Sequence, residues 1–472
     1  MAGCAGPRTD GPSTVSFDPG EVARLADRQA QFVAKAPFLK ADSVPQDWAA
    51  LLGDPALGEL LAQAQAQNLD LQMAASRVAQ SAAALGVTQA LGQPHTELGG
   101  SVTRSAISAN SPLANLGAYT GGFNLWDVGA QVSWEVDFWG HVASLTEAAR
   151  ARWQASALHV AAARLSVSAE VARQLLLLRE VQQQVRIQSE LAAVAARRVQ
   201  LMESRQRHGM ATAAELTTAQ ADALAAEVPL AGLRQQAQSL RNGLSLLLGQ
   251  VPHALDARLD DVTDVAPPAS LPVGVPSELA RQRPDVLEAE ADLRAAVADV
   301  SAARSDFYPR ITLGASLGLE AFKLRDLGSW DSRQYSVGPA FYLPLFEGGR
   351  LRQTLVLREA RQQEAALAYR RTVLKAWQEV DDALTQQAEA RRQWQLWEAA
   401  VQQRWQALQA VERARRAGAA DDLAVAEARR GWLVASASRV GAATQVKLGA
   451  VALMRALGGG WTPPGSDSGA GS

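Results

Sequence analysis

The chain has 472 residues, of which 48% are hydrophobic and 20% charged, a composition typical of an ordered protein with a sizeable core. Its 46 Lys and Arg nearly balance its 48 Asp and Glu, so the net charge is −2 and we expect no basic face for nucleic acid. No run of 18 consecutive apolar residues occurs, which excludes a membrane-spanning helix.

Residues 1–50 are predicted to form an N-terminal lipid-anchor and tether segment. Cys4 is the only cysteine, so the sequence offers no internal disulfide and no cysteine-based metal site. Small residues precede Cys4 and a stretch rich in Gly, Pro, Ser and Thr follows it, as around the acylated cysteine of bacterial lipoproteins. The charged and apolar parts of a signal peptide do not precede it, so Cys4 is expected to be either a lipidation site or an incidental thiol.

An internal repeat organises the rest of the chain. Residues 68–101 align with residues 283–316 at a constant offset of 215, and the matched positions include Pro and Gly residues at element ends. Ordered matches of this kind are the signature of a duplicated unit. The sequence therefore predicts a first repeat at 51–270, a second repeat at 271–461 and a flexible tail at 462–472.

The first repeat is predicted to contain a helix, a β-hairpin and a long helical hairpin. The helix covers about 54–91, and in 94–138 apolar residues then alternate with polar ones, as in strands with one face of each kind. Residues 141–208 contain neither Gly nor Pro over 68 positions and are rich in helix formers, which predicts a rod of about 100 Å. A second helical stretch after Gly209 is expected to return antiparallel, so that the hairpin covers 141–249.

The second repeat has the same predicted order. A helix over 275–306, with Ser277 as its cap, precedes a β-hairpin at 309–346. Residues 350–417 again contain neither Gly nor Pro over 68 positions, and the complete helical hairpin covers 350–457. A helix this long must pack its apolar stripe along its whole length, which favours antiparallel coiled-coil hairpins over a globular helical domain.

Aromatic residues concentrate in the two predicted β-hairpins, where 94–139 and 307–346 hold 14 of the 26. Aromatic girdles at strand ends are typical of transmembrane barrels, and an ordinary half-buried sheet is the alternative. Four strands cannot close a barrel, so a membrane barrel requires several copies, and three copies give 12 strands, the smallest number expected to leave a passage. The predicted girdle residues are Trp126, Trp139, Tyr308, Trp330, Tyr335 and Phe346.

Four motifs follow one another at the junctions of these elements. They are WEVDFWG at 134–140, LPVGVPSELARQRPD at 271–285, LPLFEGGR at 343–350 and ALGGGW at 456–461. Together they resemble the motifs of the TolC-type outer-membrane factors of tripartite efflux systems, in particular the NodT-like outer-membrane lipoprotein branch. The resemblance implies a mainly α chain with a small β part. It also implies a homotrimer with a shared 12-strand transmembrane β-barrel and a periplasmic tunnel of helical hairpins.

The resemblance also implies a function and partners. The protein would be the exit duct of a tripartite efflux pump, a passive outer-membrane channel for small molecules. A periplasmic adaptor and an inner-membrane pump, expected to be of the RND type, would open its periplasmic tip. Its location would be the outer membrane of a Gram-negative bacterium, where it would contact lipid and be lipid-anchored, with the tunnel extending into the periplasm.

The turns at the tips of the two helical hairpins correspond to the places where the family's adaptor contacts the channel. The first turn contains Arg207 and Gly209, and the second contains Arg416 and Gly418. These four residues are the adaptor-contact residues that the resemblance implies.

The family's inward-facing gate corresponds to residues that follow the second turn. Leu423, Glu427 and Arg430 are spaced by four and three residues, which puts them on one helical face. Asp421 and Asp422 are the alternative to Glu427, because in several copies they would form an acidic ring at the constriction. An exposed Glu–Arg pair without a gating role is the alternative that the residues alone favour.

Catalysis is not expected, because the five histidines are scattered and the sequence has no phosphate-binding loop, HExxH motif or nucleophile elbow. The expected protein has no metal, no cofactor and no nucleic-acid partner. Two other functions stay open at this point. One is an outer-membrane conduit of type I protein secretion, and the other is a soluble periplasmic coiled-coil adaptor.

Overall fold

The computed structural model describes most of the chain, and its compact parts are two units. The described residues are 24, 27–28, 36–40, 42, 44–45, 47–261, 266–274, 283–459 and 461. We call the first unit, which contains Arg77–Ser156 and Ala289–Tyr369, the strand unit. The second, called the tip unit, contains Ser16–Ser76, Ala157–Glu288 and Arg370–Ser472.

A four-stranded antiparallel sheet forms the centre of the strand unit. Its strands are β1 (His95–Ser105), β2 (Phe123–Val136), β3 (Arg310–Ala321) and β4 (Arg333–Tyr342), and they are neighbours in this order. The last strand was predicted to reach 346 but ends at Tyr342, two residues before Pro344, which has no N–H to donate to a ladder. Because β1 and β4 are the outer strands, each has one edge that no described strand pairs.

The strand register separates apolar from polar side chains. Leu98 lies beside Ala130, which lies beside Leu317 of the next strand. Since paired residues point to the same side, all four strands contribute to one apolar and one polar face. The apolar face consists of every second residue of each strand. These residues run from Thr96 to Arg104 in β1, from Asn124 to Val136 in β2, from Ile311 to Ala321 in β3 and from Arg333 to Phe341 in β4. The polar face consists of the alternate residues. These run from His95 to Ser105 in β1, from Phe123 to Glu135 in β2, from Arg310 to Glu320 in β3 and from Gln334 to Tyr342 in β4.

Gly129 and Gly318 pair across β2 and β3 on the polar face, in a space where no side chain fits. A Cβ on Gly129 would lie 3.0 Å from the Gly318 Cα, and one on Gly318 would lie 3.0 Å from the Val128 carbonyl oxygen. Both neighbours are backbone atoms, so the strands themselves would have to separate.

We therefore expect Gly129→Val to destabilise the sheet by about 1–3 kcal/mol, the range for overpacked sites. The measurement is the thermal unfolding midpoint of the purified protein. Gly99→Val is the matched control, because a Cβ at Gly99 meets nothing within 4 Å on the same face. Equal midpoints for the two variants would contradict the close approach.

Helices account for most of the remaining described chain. They are α1 (Pro55–Gln67), α2 (Leu69–Ala90), α3 (His141–Arg207), α4 (Ala213–Leu247), α5 (Pro284–Ser305), α6 (Arg350–Arg416) and α7 (Asp422–Ala456). The two long helices have 67 residues each and the two return helices 35 each, so the two halves repeat the same order with the same lengths. In the described residues, no helix is both long enough and apolar enough to cross a membrane.

The prediction of one helix over 54–91 was wrong, because Asn68 divides it into α1 and α2. The Asn68 Oδ1 accepts the N–H of Leu71 at 3.0 Å and thereby caps α2. Its Nδ2 donates to the Leu247 carbonyl oxygen at 2.9 Å, which ties this break to the end of α4. Asn68 is buried, so both side-chain groups find a partner at the break.

The long helices form antiparallel hairpins in the tip unit. Between α3 and α4, Gln188 Nε2 donates to the Ala226 carbonyl oxygen at 2.8 Å. Between α6 and α7, the rings of Trp405 and Trp432 lie 5.1 Å apart. The two hairpins also contact each other, since Gln184 Nε2 of α3 donates to the Ala437 carbonyl oxygen of α7 at 2.9 Å.

Two buried arginines join distant segments of the tip unit. Arg179 Nε contacts the Asp54 carboxylate at 2.9 Å, and its Nη1 donates to the Asp261 carbonyl oxygen at 2.6 Å. Arg283 contacts Glu379 of α6 and Asp285 of α5, both at 2.7 Å. Desolvation works against the charge of Arg283, but its two carboxylate partners hold its pKa above the usual value.

Some predicted features lie outside the described residues. Cys4, the cap residue Ser277 and the tail at 462–472 are among them. The boundaries of the two repeats, 51–270 and 271–461, stay predictions, and each compact unit contains parts of both.

Candidate functional site

The two hairpin turns in the tip unit have the same backbone geometry. Gly209 has φ 73° and Gly418 has φ 78°, a left-handed conformation that side chains disfavour. In each turn the residue after the glycine donates its N–H to the carbonyl five residues earlier, at 2.8 Å, which closes the preceding helix. Arg207 and Arg416, the other predicted adaptor-contact residues, are exposed beside these turns.

An ion pair connects the two turns. Arg205 Nη1 of α3 lies 3.2 Å from Asp421 Oδ2, just before α7. Asp421 also caps α7, because its other oxygen accepts the N–H of Ala424 at 2.9 Å. Next to it, Asp422 Oδ1 lies 2.5 Å from Arg415 Nη1 of α6. Both acidic residues of the predicted alternative ring are therefore paired with arginine.

The structure brings Glu427 and Arg430 together, as their spacing predicted. Arg430 Nη2 donates to Glu427 Oε1 at 2.7 Å, and its Nε donates to Oε2 at 3.1 Å. These hydrogen bonds hold the pKa of Glu427 below its usual value, so its carboxylate is charged at neutral pH. Leu423 is half-buried one turn earlier on the same helix.

Sequence reasoning missed a groove between α3, α6 and α7 in the tip unit. The cavity has a volume of 580 Å³, and apolar residues of α3 and α7 contribute to its lining. An ion pair crosses it, with Arg429 Nη2 3.7 Å from Glu190 Oε2. Its α3 residues are far in sequence from those of the consecutive helices α6 and α7, so no local pattern marked the groove. The charged lining residues are Glu190, Arg197, Glu412, Arg415, Arg416, Asp422 and Arg429.

The predicted girdle residues form two groups at opposite ends of the sheet. Trp126, Trp330 and Tyr335 lie at the end where loops join the strands within each hairpin, here called the loop end. Trp139, Tyr308 and Phe346 lie at the other end, beside the helices. There the rings of Trp139 and Tyr308 are stacked 4.8 Å apart, and the Trp139 Nε1 donates to the Pro309 carbonyl oxygen at 2.8 Å. Phe346 is 90% exposed.

The charged residues on the polar face of the sheet are mostly acidic. Asp127 and Glu320 lie side by side on β2 and β3, and Glu97 and Glu135 lie on the same face. Gln334 Nε2 donates to the Asp127 carboxylate at 2.8 Å. This face has the character of a wall in contact with water rather than with lipid. Within the described parts of the chain, no group of three or more His, Cys, Asp or Glu is placed to hold a metal ion.

Comparison with known proteins identifies the family. A sequence model of the outer membrane efflux protein family matches residues 60–250 and 275–459. The pyoverdine export outer membrane protein OpmQ of Pseudomonas putida is 33% identical, over 89% of this chain and 90% of that protein. The probable outer membrane lipoprotein SilC of Salmonella typhimurium is 27% identical, over 88% of each chain.

Solved structures agree with the sequence comparison. The outer-membrane channel OprN is similar with a TM-score of 0.83 and 27% identity, over 92% of this chain and 96% of that one. By their names, these relatives are an outer-membrane export protein, an outer membrane lipoprotein and an outer-membrane channel. The chain therefore belongs to the outer membrane efflux protein family and is an outer-membrane efflux channel.

Proposed function

We propose that three copies of this chain form the exit duct of a tripartite pump, which passively conducts small molecules out of the cell. The four strands of each copy contribute to a shared 12-strand barrel in the outer membrane, and the helical hairpins extend into the periplasm as a tunnel. A periplasmic adaptor and an inner-membrane pump of the RND type open the tunnel at its tip. Cys4 anchors each copy to lipid, and the repeats 51–270 and 271–461 each supply one β-hairpin and one helical hairpin.

The observation that carries this proposal is the sheet, which has two unpaired edges and an apolar face across all four strands. In lipid, each unsatisfied backbone N–H or C=O costs several kcal/mol, so an open edge is not stable there. Pairing β4 of one copy with β1 of the next satisfies the groups on both edges except opposite Pro339, which has no N–H to donate. Three copies then close a 12-strand barrel, with the apolar face towards lipid and the acidic polar face lining water.

The two groups of aromatic residues fit this placement. Amphipathic rings are most stable at the level of lipid headgroups, and a barrel crosses two such levels. Trp126, Trp330 and Tyr335 would form the girdle at the loop end. Trp139, Tyr308 and Phe346 would form the girdle beside the helices.

The test is reconstitution of the purified protein in planar lipid bilayers, together with its mass in detergent. We expect a trimer and discrete conductance steps. A monomer that stays dispersed in detergent-free buffer and gives no conductance would refute the proposed duct.

The predicted gate can be examined in the same bilayers. Glu427 and Arg430 are charged and exposed, so as part of a constriction they would set the field that a passing ion meets. We expect Glu427→Ala and Arg430→Ala to change both the unitary conductance and the closed fraction. Wild-type values for both variants would remove these residues from the gate.

The ion pair between the two turns is proposed to hold the tip closed. Arg205 and Asp421 are both exposed, and such pairs contribute about 0–1 kcal/mol. We therefore expect Asp421→Asn, which removes the charge but can still cap α7, to raise the open probability about twofold to fivefold. The matched control is Glu170→Gln, which removes the exposed pair with Arg173 within α3, away from both turns. An equal rise in both variants would show that linking the two hairpins is not what matters.

A further inference from the structure

The apolar face of the sheet has charge at one end only. Of the described strand residues on this face, Arg104 and Arg333 are the only charged ones. Arg104 is the penultimate residue of β1, and Arg333 is the first residue of β4, so both lie at the loop end. In the joining loop before β4, Lys323 and Arg325 are balanced by Asp326 and Asp331. The net positive charge of this end of the apolar face therefore comes from the two arginines.

Both guanidinium groups contact neighbouring residues but neither forms a described salt bridge, and Asp331 acts on Arg333 only from a longer distance. Arg104 Nη1 donates to Asn124 Oδ1 at 3.1 Å. Arg333 Nε donates to the Trp330 carbonyl oxygen at 2.5 Å, and its guanidinium lies over the Trp330 ring. Both side chains are exposed. Most of their N–H donors thus remain available in a fixed orientation.

The position of Arg104 and Arg333 restricts which anion can bind them. A lipid-facing arginine costs about 2–4 kcal/mol at the middle of a bilayer but about 0–1 near the headgroups. The loop end must therefore lie at headgroup level, where Trp330 and Tyr335 also favour it. The anion that this level supplies is the lipid phosphate, and a guanidinium group binds phosphate through two parallel hydrogen bonds.

We propose that Arg333 of one copy and Arg104 of the next bind a phosphate of the phosphorylated glycolipid of the outer leaflet. The inference rests on the proposed trimer, in which β4 of one copy pairs with β1 of the next. Neighbouring strands lie about 4.8 Å apart, so two arginines on the same face at the same end can reach one phosphate. The helices leave the opposite end of the sheet towards the periplasm, so the loop end faces the outer leaflet. The trimer therefore has three such sites.

The experiment measures lipid binding to the purified trimer in mild detergent by native mass spectrometry. The probes are lipid A with both phosphates and the same lipid after enzymatic removal of the phosphates. We expect the wild-type trimer to bind the phosphorylated lipid at least tenfold more tightly. The double variant Arg104→Gln/Arg333→Gln should lose this preference and bind both lipids equally. Arg325→Gln, which changes a loop arginine 3.5 Å from Asp326, should keep it.

Two results would overturn the inference: equal affinity of the wild-type trimer for both lipids, or an unchanged preference in the double variant. Conductance of the same preparations separates this inference from the proposed function. A conducting trimer without phosphate preference refutes the lipid site alone. A monomer that is soluble without detergent has no lipid-facing side, and it refutes both the site and the duct.

Discussion

Val337→Pro in β4 is expected to abolish the trimer and its conductance while leaving the fold of each copy intact. β4 already contains Pro339, and a proline is tolerated in an edge strand where its nitrogen faces away from the neighbouring strand. Val337 is two residues away, so its N–H points to the same unpaired edge. Without this N–H, a carbonyl oxygen of the next copy stays unsatisfied at each of the three interfaces. Each such group costs several kcal/mol of free energy in lipid.

The measurement is the oligomeric mass in detergent, with conductance in bilayers as the second readout. Val337→Thr is the matched control, because it keeps the backbone N–H and nearly the same volume, and it should remain a conducting trimer. Helical content by circular dichroism should be equal in both variants. A Val337→Pro trimer as stable as wild type would mean that the copies are not joined along β4.

The long helices could be predicted because their signal is local. A stretch of 68 positions without Gly or Pro forms a helix of 67 residues in each half. A glycine with positive φ lies in the turn that follows each helix. The two faces of the sheet were predictable for the same reason, since alternation needs only the period of a strand. The end of β4 at Tyr342 was missed because Phe346 continued the aromatic pattern beyond the proline.

What the sequence could not predict depends on contacts between distant residues. Asn68 breaks the first helix by capping α2, and its second bond, which reaches Leu247 179 positions away, has no local pattern. Arg205 and Asp421 lie 216 positions apart, so the bond between the turns has no local pattern. Glu427 and Arg430 could be predicted as a pair because a helix brings residues three apart together.

The ion pairs at the turns and those in the buried part of the tip unit differ in what they contribute. The pairs at the turns are exposed and each contributes little, which fits the proposal that the tip opens and closes. The pairs of Arg179 and Arg283 are buried and join segments that would otherwise separate. Removing one partner from a buried ion pair leaves the other charge buried without a counter-charge. Substitutions at these positions are therefore expected to destabilise the fold, although no transport role is assigned to them.

Arg179→Ala is accordingly expected to reduce the free energy of unfolding by about 3–5 kcal/mol. The side chains of Arg179 and Asp54 are only 6% and 0% exposed. Without the guanidinium, the Asp54 carboxylate keeps the cap of α1, through the Ala56 N–H at 2.9 Å, but loses its counter-charge. The Asp261 carbonyl oxygen loses its hydrogen bond at the same time. The measurement is denaturant unfolding of the purified protein at fixed protein and detergent concentrations.

The matched control lies on the same helix. Arg173→Ala removes an exposed pair with Glu170, in which Arg173 is 48% exposed, and should cost at most about 1 kcal/mol. The double variant Arg179→Ala/Asp54→Asn separates the two causes of instability, because asparagine carries no charge but can still cap α1. It should be more stable than Arg179→Ala if the uncompensated carboxylate is the main cost. Equal losses in the single and double variants would instead assign the stability to the bond with Asp261, the contact that both variants lack.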